Sequence, residues 1–215
     1  MTDQETLTRL LTEAVRNHGH LCPGLVLGVR MAMCGLSAIG IFDPRGTDRN
    51  KIYLIVEIDR CIAGALQIVT GCSLGHRTIK IMDYGKMAAT FVNLETHDAV
   101  RLYAREEGRR QADQYLPQVQ AKYLRHVEAY KTMSDADLFE GRAVSVNIPS
   151  WDLPGAKPLL KAKCDMCGEW VHDGRDIYKA QSTLCRPCLE GGYYFDLGAL
   201  SNAPCPGVEM CRIAS

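Results

Sequence analysis

No stretch of this 215-residue chain approaches the eighteen or so consecutive apolar residues that a membrane-crossing helix needs, which excludes a bilayer span. Excess charge is missing too. The chain has 25 Lys+Arg against 25 Asp+Glu, so it has no overall positive field to draw in nucleic acid or an anionic membrane. The opening Met1-Thr2-Asp3-Gln4-Glu5 has no basic segment ahead of an apolar core, and the expected location is the cytoplasm. That expectation bears on the ten cysteines. In a chain without an export signal, Cys-x-x-Cys spacing reads as metal binding or thiol chemistry rather than as a disulfide framework.

What the chain does have is apolar area: 47% of its residues are hydrophobic, enough to bury a real core, either as one large domain or as a principal domain with a small module. Leu7, Leu10, Leu11, Ala14 and Val15 recur at helical spacing and predict a helix over 3–17, broken by Gly19. A second helix over 25–39 is apolar nearly all round and should be the central helix of the core, with Met31, Met33 and Cys34 as inert filling. Alternation predicts a strand over 51–59, then a short helix over 62–69. Two further strands, 78–83 and 87–94, are expected to form a hairpin through Tyr84-Gly85-Lys86. Residues 96–133 read as helical with a break near Pro117, and 143–148 as a last strand. This order predicts an α+β fold, helices packed on a small, mainly antiparallel sheet, rather than a doubly wound one. The predicted domains are 1–148 as the core, a Pro- and Gly-marked linker over 149–160, and a finger with its tail over 161–215.

Two places carry chemistry. In His18-Gly19-His20-Leu21-Cys22-Pro23-Gly24, three borderline-soft ligands stand at alternate positions; an extended backbone would project all three from one side. Pro23 biases Cys22 towards such a conformation. Cys61, after the predicted strand, and Cys72, after the short helix, are the candidates to complete this site. A helix between them would set them about 15 Å apart, so one ligates and the other does not. Near the C-terminus, Cys164-x-x-Cys167 and Cys185-x-x-Cys188, seventeen residues apart, have the spacing of a zinc ribbon or treble clef. Four thiolates close a tetrahedral shell and leave no open position, so that Zn²⁺ is expected to be structural. From residue 149 onward seven Lys/Arg meet eight Asp/Glu, which argues against a phosphate-binding face. Trp170 and Tyr193-Tyr194-Phe195 fit packing on the ribbon or a protein contact.

Several of these segments recur together in one family. His18-Gly-His20-Leu-Cys22-Pro-Gly24 with Gly28-Val29-Arg30-Met31, Asp59-x-Cys61, Ala65-x-Gln67, Thr70-Gly71-Cys72-Ser73-x-Gly75 and Asp83-Tyr84-Gly85-Lys86-x-Ala88 closely resemble the E-subunit family of formylmethanofuran dehydrogenase. The resemblance covers about the first two thirds of the chain. The C-terminal Cys-x-x-Cys pairs resemble the zinc finger appended in many members, and also the finger of DksA/TraR regulators. The resemblance implies an α+β core with a metal near residues 18–24, a homodimer whose finger reaches the partner, and an association with a molybdenum or tungsten enzyme. Nothing in the chain resembles the pterin-binding catalytic component of that enzyme. The tail with Cys205 and Cys211 departs from the pattern and reads as a ligand pair, a redox pair or a loosely ordered end.

Three functions follow as expectations. In the first, His20, Cys22 and one of Cys61 or Cys72, with or without His18, hold zinc or another borderline metal with one open position; Asp59 orients an imidazole and Lys86 binds an anionic group. The second is a thiol redox or group-transfer protein using Cys61 and Cys72. The third is a non-catalytic dimeric scaffold or regulator acting through the finger. Cys22, Cys61, Cys72 and Lys86 are the candidate catalytic residues.

Overall fold

The core is assembled around its most apolar helix. A computed structural model describes residues 3–115, 117–157 and 160–194, and in it α2 (Pro23–Ala38) buries Leu25, Val26, Val29, Met31 and Ala32 completely or nearly so. On the sheet side α2 lies directly over β3 (Ala88–Asn93): a Cβ on Gly35 would come within 2.4 Å of the Phe91 ring. On another side it crosses α3 (Cys61–Thr70), where a Cβ on Gly28 would stand 2.6 Å from the Ala65 Cβ. The missing side chains let backbones approach where Leu or Val would hold them apart. Helix α1 (Asp3–His18) adds Leu7, Leu10, Leu11 and Ala14 from one stripe, as its spacing predicts.

Five strands form the sheet, in the order β2-β1-β3-β4-β5. β1 (Ile52–Val56) pairs parallel with β2 (Ile79–Ile81) and antiparallel with β3; β4 (Ala99–Ala104) and β5 (Phe139–Ala143) continue antiparallel. The expected hairpin of the second and third strands is therefore absent, because β1 lies between them. A parallel pair needs a crossover, and α3 supplies it. The residues around 99–104, expected to be helical, form β4, whose partner in a hairpin is β3. The helical reading of 96–133 holds from α4 (Glu106–Tyr115) through α5 (Lys122–Thr132). The last strand ends at 143 rather than beginning there. β4 starts at Ala99, so the ladder runs out after Val144 N–H donates to the Ala99 carbonyl at 3.0 Å.

Arg30 of α2 fastens α5 in place. It donates to the carbonyls of Tyr130 and Met133, each at 2.8 Å, and pairs with Asp135 of α6 (Asp135–Leu138) at 2.6 Å. Carbonyls at a helix C-terminus have no partner within the helix, and a guanidinium satisfies several at once.

The chain divides into two units, Met1–Ala156 and Lys157–Ser215. Residues 149–156, whose composition marks a linker, belong to the first: the Trp151 carbonyl accepts from Arg77 at 2.9 Å, and Asp152 pairs with Lys80. Proline and glycine signal irregular backbone there, not a lack of contacts. The second unit contains two short hairpins, β6 (Ala162–Lys163) with β7 (Trp170–Val171) and β8 (Ile177–Lys179) with β9 (Ser182–Leu184), followed by α7 (Arg186–Glu190). Trp170, Tyr193 and Tyr194 are exposed; Phe195, Cys205 and Cys211 lie outside the described residues. Among the described residues no helix is long and apolar enough to cross a membrane.

Candidate metal centre and adjoining cleft

Three helix ends meet at the first site. Helix α1 runs to His18 and stops at Gly19, whose φ of 91° is open to glycine at little cost. Cys22 is the N-cap of α2, extended at φ −132°, ψ 160° as the following proline requires, and its Sγ accepts from the Leu25 N–H at 3.3 Å. Cys61 is the first residue of α3. The α2–α3 crossing brings it in, since a Cβ on Gly24 would lie 3.3 Å from the Cys61 Cβ.

His18, Cys22 and Cys61 can each aim one donor atom so that all three lie within 4.8 Å of one another, with His18 Nε2 and Cys22 Sγ 3.8 Å apart. Ligands bound at about 2.0–2.3 Å in a tetrahedral shell stand roughly 3.5–3.8 Å from each other, so the donor set fits a shared ion. The residues are not arranged as alternation suggests. His18 is helical, one turn below Cys22, and the segment is not extended across 18–22. His20 is exposed and outside the group of three, its ring 4.8 Å from that of His18. Cys72 lies beyond the far end of α3, only 4% exposed, its thiol pushed up by burial. It lies about 15 Å from Cys61 along the helix axis, too far for one ion or for a disulfide. Asp59 is exposed and makes no hydrogen bond among the described residues.

Burial pushes the Cys22 thiol up, and its contact with Cys61 adds to the effect, while the Leu25 N–H opposes it. Without a cation the Cys22 thiol is therefore biased towards its neutral form. A cation reverses that preference by favouring both thiolates.

Beside the centre opens a cleft of about 510 Å³, with Pro23, Gly24 and Leu27 on one wall and Lys86 on its rim. Its remaining residues come largely from β4, α4 and α5, the last two being helices that sequence reasoning treats only as a cover for the sheet. Tyr123, His126 and Tyr130 follow one stripe of α5. The Tyr123 hydroxyl donates to the Leu21 carbonyl, between the candidate ligands, and partial desolvation followed by the two thiols raises its pKa. His126 and Tyr130 reach the cleft, and Asp113 of α4 holds His126 Nε2 at 2.7 Å. The signal for these residues is their i, i+3, i+7 spacing, which marks a shared face but not what that face meets.

In the second unit Cys164, Cys167, Cys185 and Cys188 bring their Sγ atoms within 4.8 Å of one another, with Cys167 and Cys185 3.8 Å apart. Backbone N–H groups of Cys167 and Cys185 bring the Cys164 thiol down to about 6, whereas contact with Cys185 and its neighbours pushes Cys188 up to about 12. Four thiols this close cannot all ionise without a cation. The cluster fits a zinc-ribbon module.

Residues 17–143, which include His18, Cys22, Cys61 and every residue of the cleft, match the family described as "FmdE, Molybdenum formylmethanofuran dehydrogenase operon". The chain belongs to the FmdE family. A curated relative, the "Probable S-adenosyl-L-methionine-binding protein" of Archaeoglobus fulgidus, is 38% identical over 213 residues, covering 91% of this chain and 56% of that protein. The chain thus spans about half the length of that relative. Among solved structures, a tungsten formylmethanofuran dehydrogenase FmdE-like protein from Syntrophus aciditrophicus superposes with a TM-score of 0.59 at 20% identity, covering 88% of this chain and 95% of that one. This likeness shows the fold; the chemistry of the FmdE centre has to be argued from its own residues.

Proposed function

We propose that this FmdE-family chain binds two metal ions: a zinc or similar borderline ion held by His18, Cys22 and Cys61 with one position open to a ligand, and a structural Zn²⁺ held by the four finger cysteines. One observation carries the reading. Donors from three separate helix ends converge within 4.8 Å at the edge of a cleft large enough for a small molecule. Two thiolates and an imidazole suit Zn²⁺, and three protein ligands rather than four are the mark of a working site. Such an ion supplies Lewis acidity to whatever takes the fourth position. The chain's own part is to hold the ligands through the α1 stop, the α2 N-cap and the α3 start. Tyr123 braces the Leu21 carbonyl between two of them.

The family's description supports an accessory role beside a molybdenum or tungsten enzyme of one-carbon metabolism, and the homodimer belongs to the same proposal. Co-purification with that enzyme's components and sedimentation of the chain alone test these two parts. Elemental analysis tests the centre itself. Full-length protein should hold two ions per chain, and Cys22→Ser and Cys61→Ser should each lower this to one while the finger's ion stays. Two ions retained in both variants would overturn the reading. S-adenosyl-L-methionine, named for the curated relative, belongs among the compounds titrated against the loaded protein.

A further inference from the structure

We infer that the cleft beside the metal centre is a binding site for a small molecule with an oxyanion head, held at its charged end by Lys86 and Arg105 and extending over Gly24 towards Cys61. Charge, unused hydrogen-bonding capacity and reach each support the same ligand chemistry. Three cationic side chains line the cleft, Lys86, Arg105 and Arg109, against one carboxylate, Glu106. Arg109 and Glu106 stand 3.4 Å apart and offset each other. Lys86 and Arg105 have no carboxylate partner among the described residues: Lys86 lies 5.9 Å from the Tyr84 ring, and Arg105 donates only a long bond, 3.4 Å, to the Ala136 carbonyl. Two cations free of close ion pairs, with Arg105 feeling only the more distant Glu140, stand at the mouth of a concave, half-apolar site and lend it a positive potential.

The floor is polar where a ligand would need it. Tyr130 is 6% exposed, and its hydroxyl has no partner among the described residues. His126, equally buried, uses Nε2 on Asp113 and has no described partner for its other ring nitrogen. Neither atom is sealed from solvent, since Arg125 Nε is the one buried side-chain nitrogen or oxygen without a partner among the described residues, and both residues line the cleft, so each can offer a hydrogen bond to an occupant. Reach follows from Gly24. It forms part of the cleft wall, and an atom placed where its Cβ would be lies 4.0 Å from Cys61 Sγ. A ligand anchored at Lys86 and Arg105 and lying along this wall is separated from Cys61 by Gly24, which carries no side chain. The volume, about 510 Å³, admits a metabolite and excludes a macromolecule.

This deepens the metal-centre reading by naming the chemical class of its ligand, while anion capture itself rests on the cleft alone. The test is isothermal titration of the full-length, zinc-loaded chain with inorganic phosphate and, separately, with acetate. At least one should bind saturably, one per chain, and the tighter of the two identifies the head as phosphate-like or carboxylate-like. Lys86→Ala and Arg105→Ala, both exposed and harmless to the core, should each weaken binding about tenfold or more, with metal content unchanged. Tyr130→Phe should weaken it too. An anion held by the metal alone would ignore Lys86 and Arg105, so equal affinity in those variants would sink the inference. Failure of both anions to bind a chain carrying two ions would do the same and leave the metal centre standing. S-adenosyl-L-methionine carries net positive charge at neutral pH; if it alone bound in the cleft, the assignment of an oxyanion would be wrong.

Discussion

Gly28 of α2 lies so close to Ala65 of α3 that a methyl group on it would stand 2.6 Å from the Ala65 Cβ and 2.9 Å from the Ile62 carbonyl oxygen. One turn earlier, Gly24 meets Cys61 in the same way, so a single helix crossing sets both the packing and the distance from α2 to a candidate ligand. Gly28→Ala should destabilise the protein by about 1–3 kcal/mol, because a backbone carbonyl cannot move aside as a side chain can. In thermal melts this is a fall of roughly 2–4 °C per kcal/mol. Gly64 of α3 is the control. A Cβ there meets nothing within 4 Å, so Gly64→Ala should gain about 1 kcal/mol of helix propensity. Equal effects in the two variants would show that the crossing is looser than described.

Thiol labelling should follow burial. Among Cys22, Cys61 and Cys72 of the metal-stripped protein, the half-buried Cys61 should be alkylated first, and Cys22, at 6% exposure, more slowly. Cys72 should react only when the fold opens, since it is packed at the far end of α3. Peptide mapping after timed alkylation reads this order. A Cys61–Cys72 disulfide formed by mild oxidation of the folded chain would contradict the separation across α3 and revive a redox pair.

How much of the molecule is legible in its sequence depends on how local each signal is. The four-cysteine cluster of the finger is legible from spacing, because Cys-x-x-Cys pairs encode their own geometry. The first centre is legible only in part. His18 and Cys22 meet because α1 continues to position 18, and a one-residue difference in where a helix ends decides whether His18 or His20 faces the thiol. Cys61 joins them only through the crossing at Gly24 and Gly28, a contact between segments far apart in sequence. β2 is legible as a strand but not as a parallel partner of β1, since pairing is a property of two segments and a crossover. β4 is obscured because Arg101 faces Glu57 across the sheet, bonded at 2.6 and 2.7 Å. That charge makes a strand look like a solvated helix face. Of the cleft, Pro23, Gly24 and Lys86 stand in motifs the sequence shows, but the residues brought from β4, α4 and α5 have no local signature.

Chelation should act on the two units differently. A module as small as the described part of the second unit buries little: its core is Cys164 and Cys185, two of the candidate ligands themselves. Without a metal it should unfold, since binding supplies on the order of 10 kcal/mol to such domains. The first unit keeps its apolar core and should keep its own thermal transition. Amide NMR spectra of the full-length chain, with and without chelator, should lose dispersion for residues 160–194 alone. Loss across both units would mean that the first centre also holds its unit together.

Asp113 offers a pH test remote from the metal centre. The hydrogen bond from His126 holds its carboxyl below the ordinary value, with Lys122 contributing, so the folded state binds this proton more weakly than the unfolded chain does. A depressed folded pKa gives stability that is fully present above the unfolded value, near 3.9, and is lost as the pH falls through the still lower folded value. Asp113→Asn removes the charge while keeping an acceptor for His126. The variant should therefore melt below wild type at neutral pH, by a small amount because Asp113 is partly exposed. The gap should close between about pH 5 and pH 2. A gap that instead widened on acidification would mean the carboxyl is not held down in the folded protein, and the α4–α5 contact that shapes the cleft floor would need another explanation.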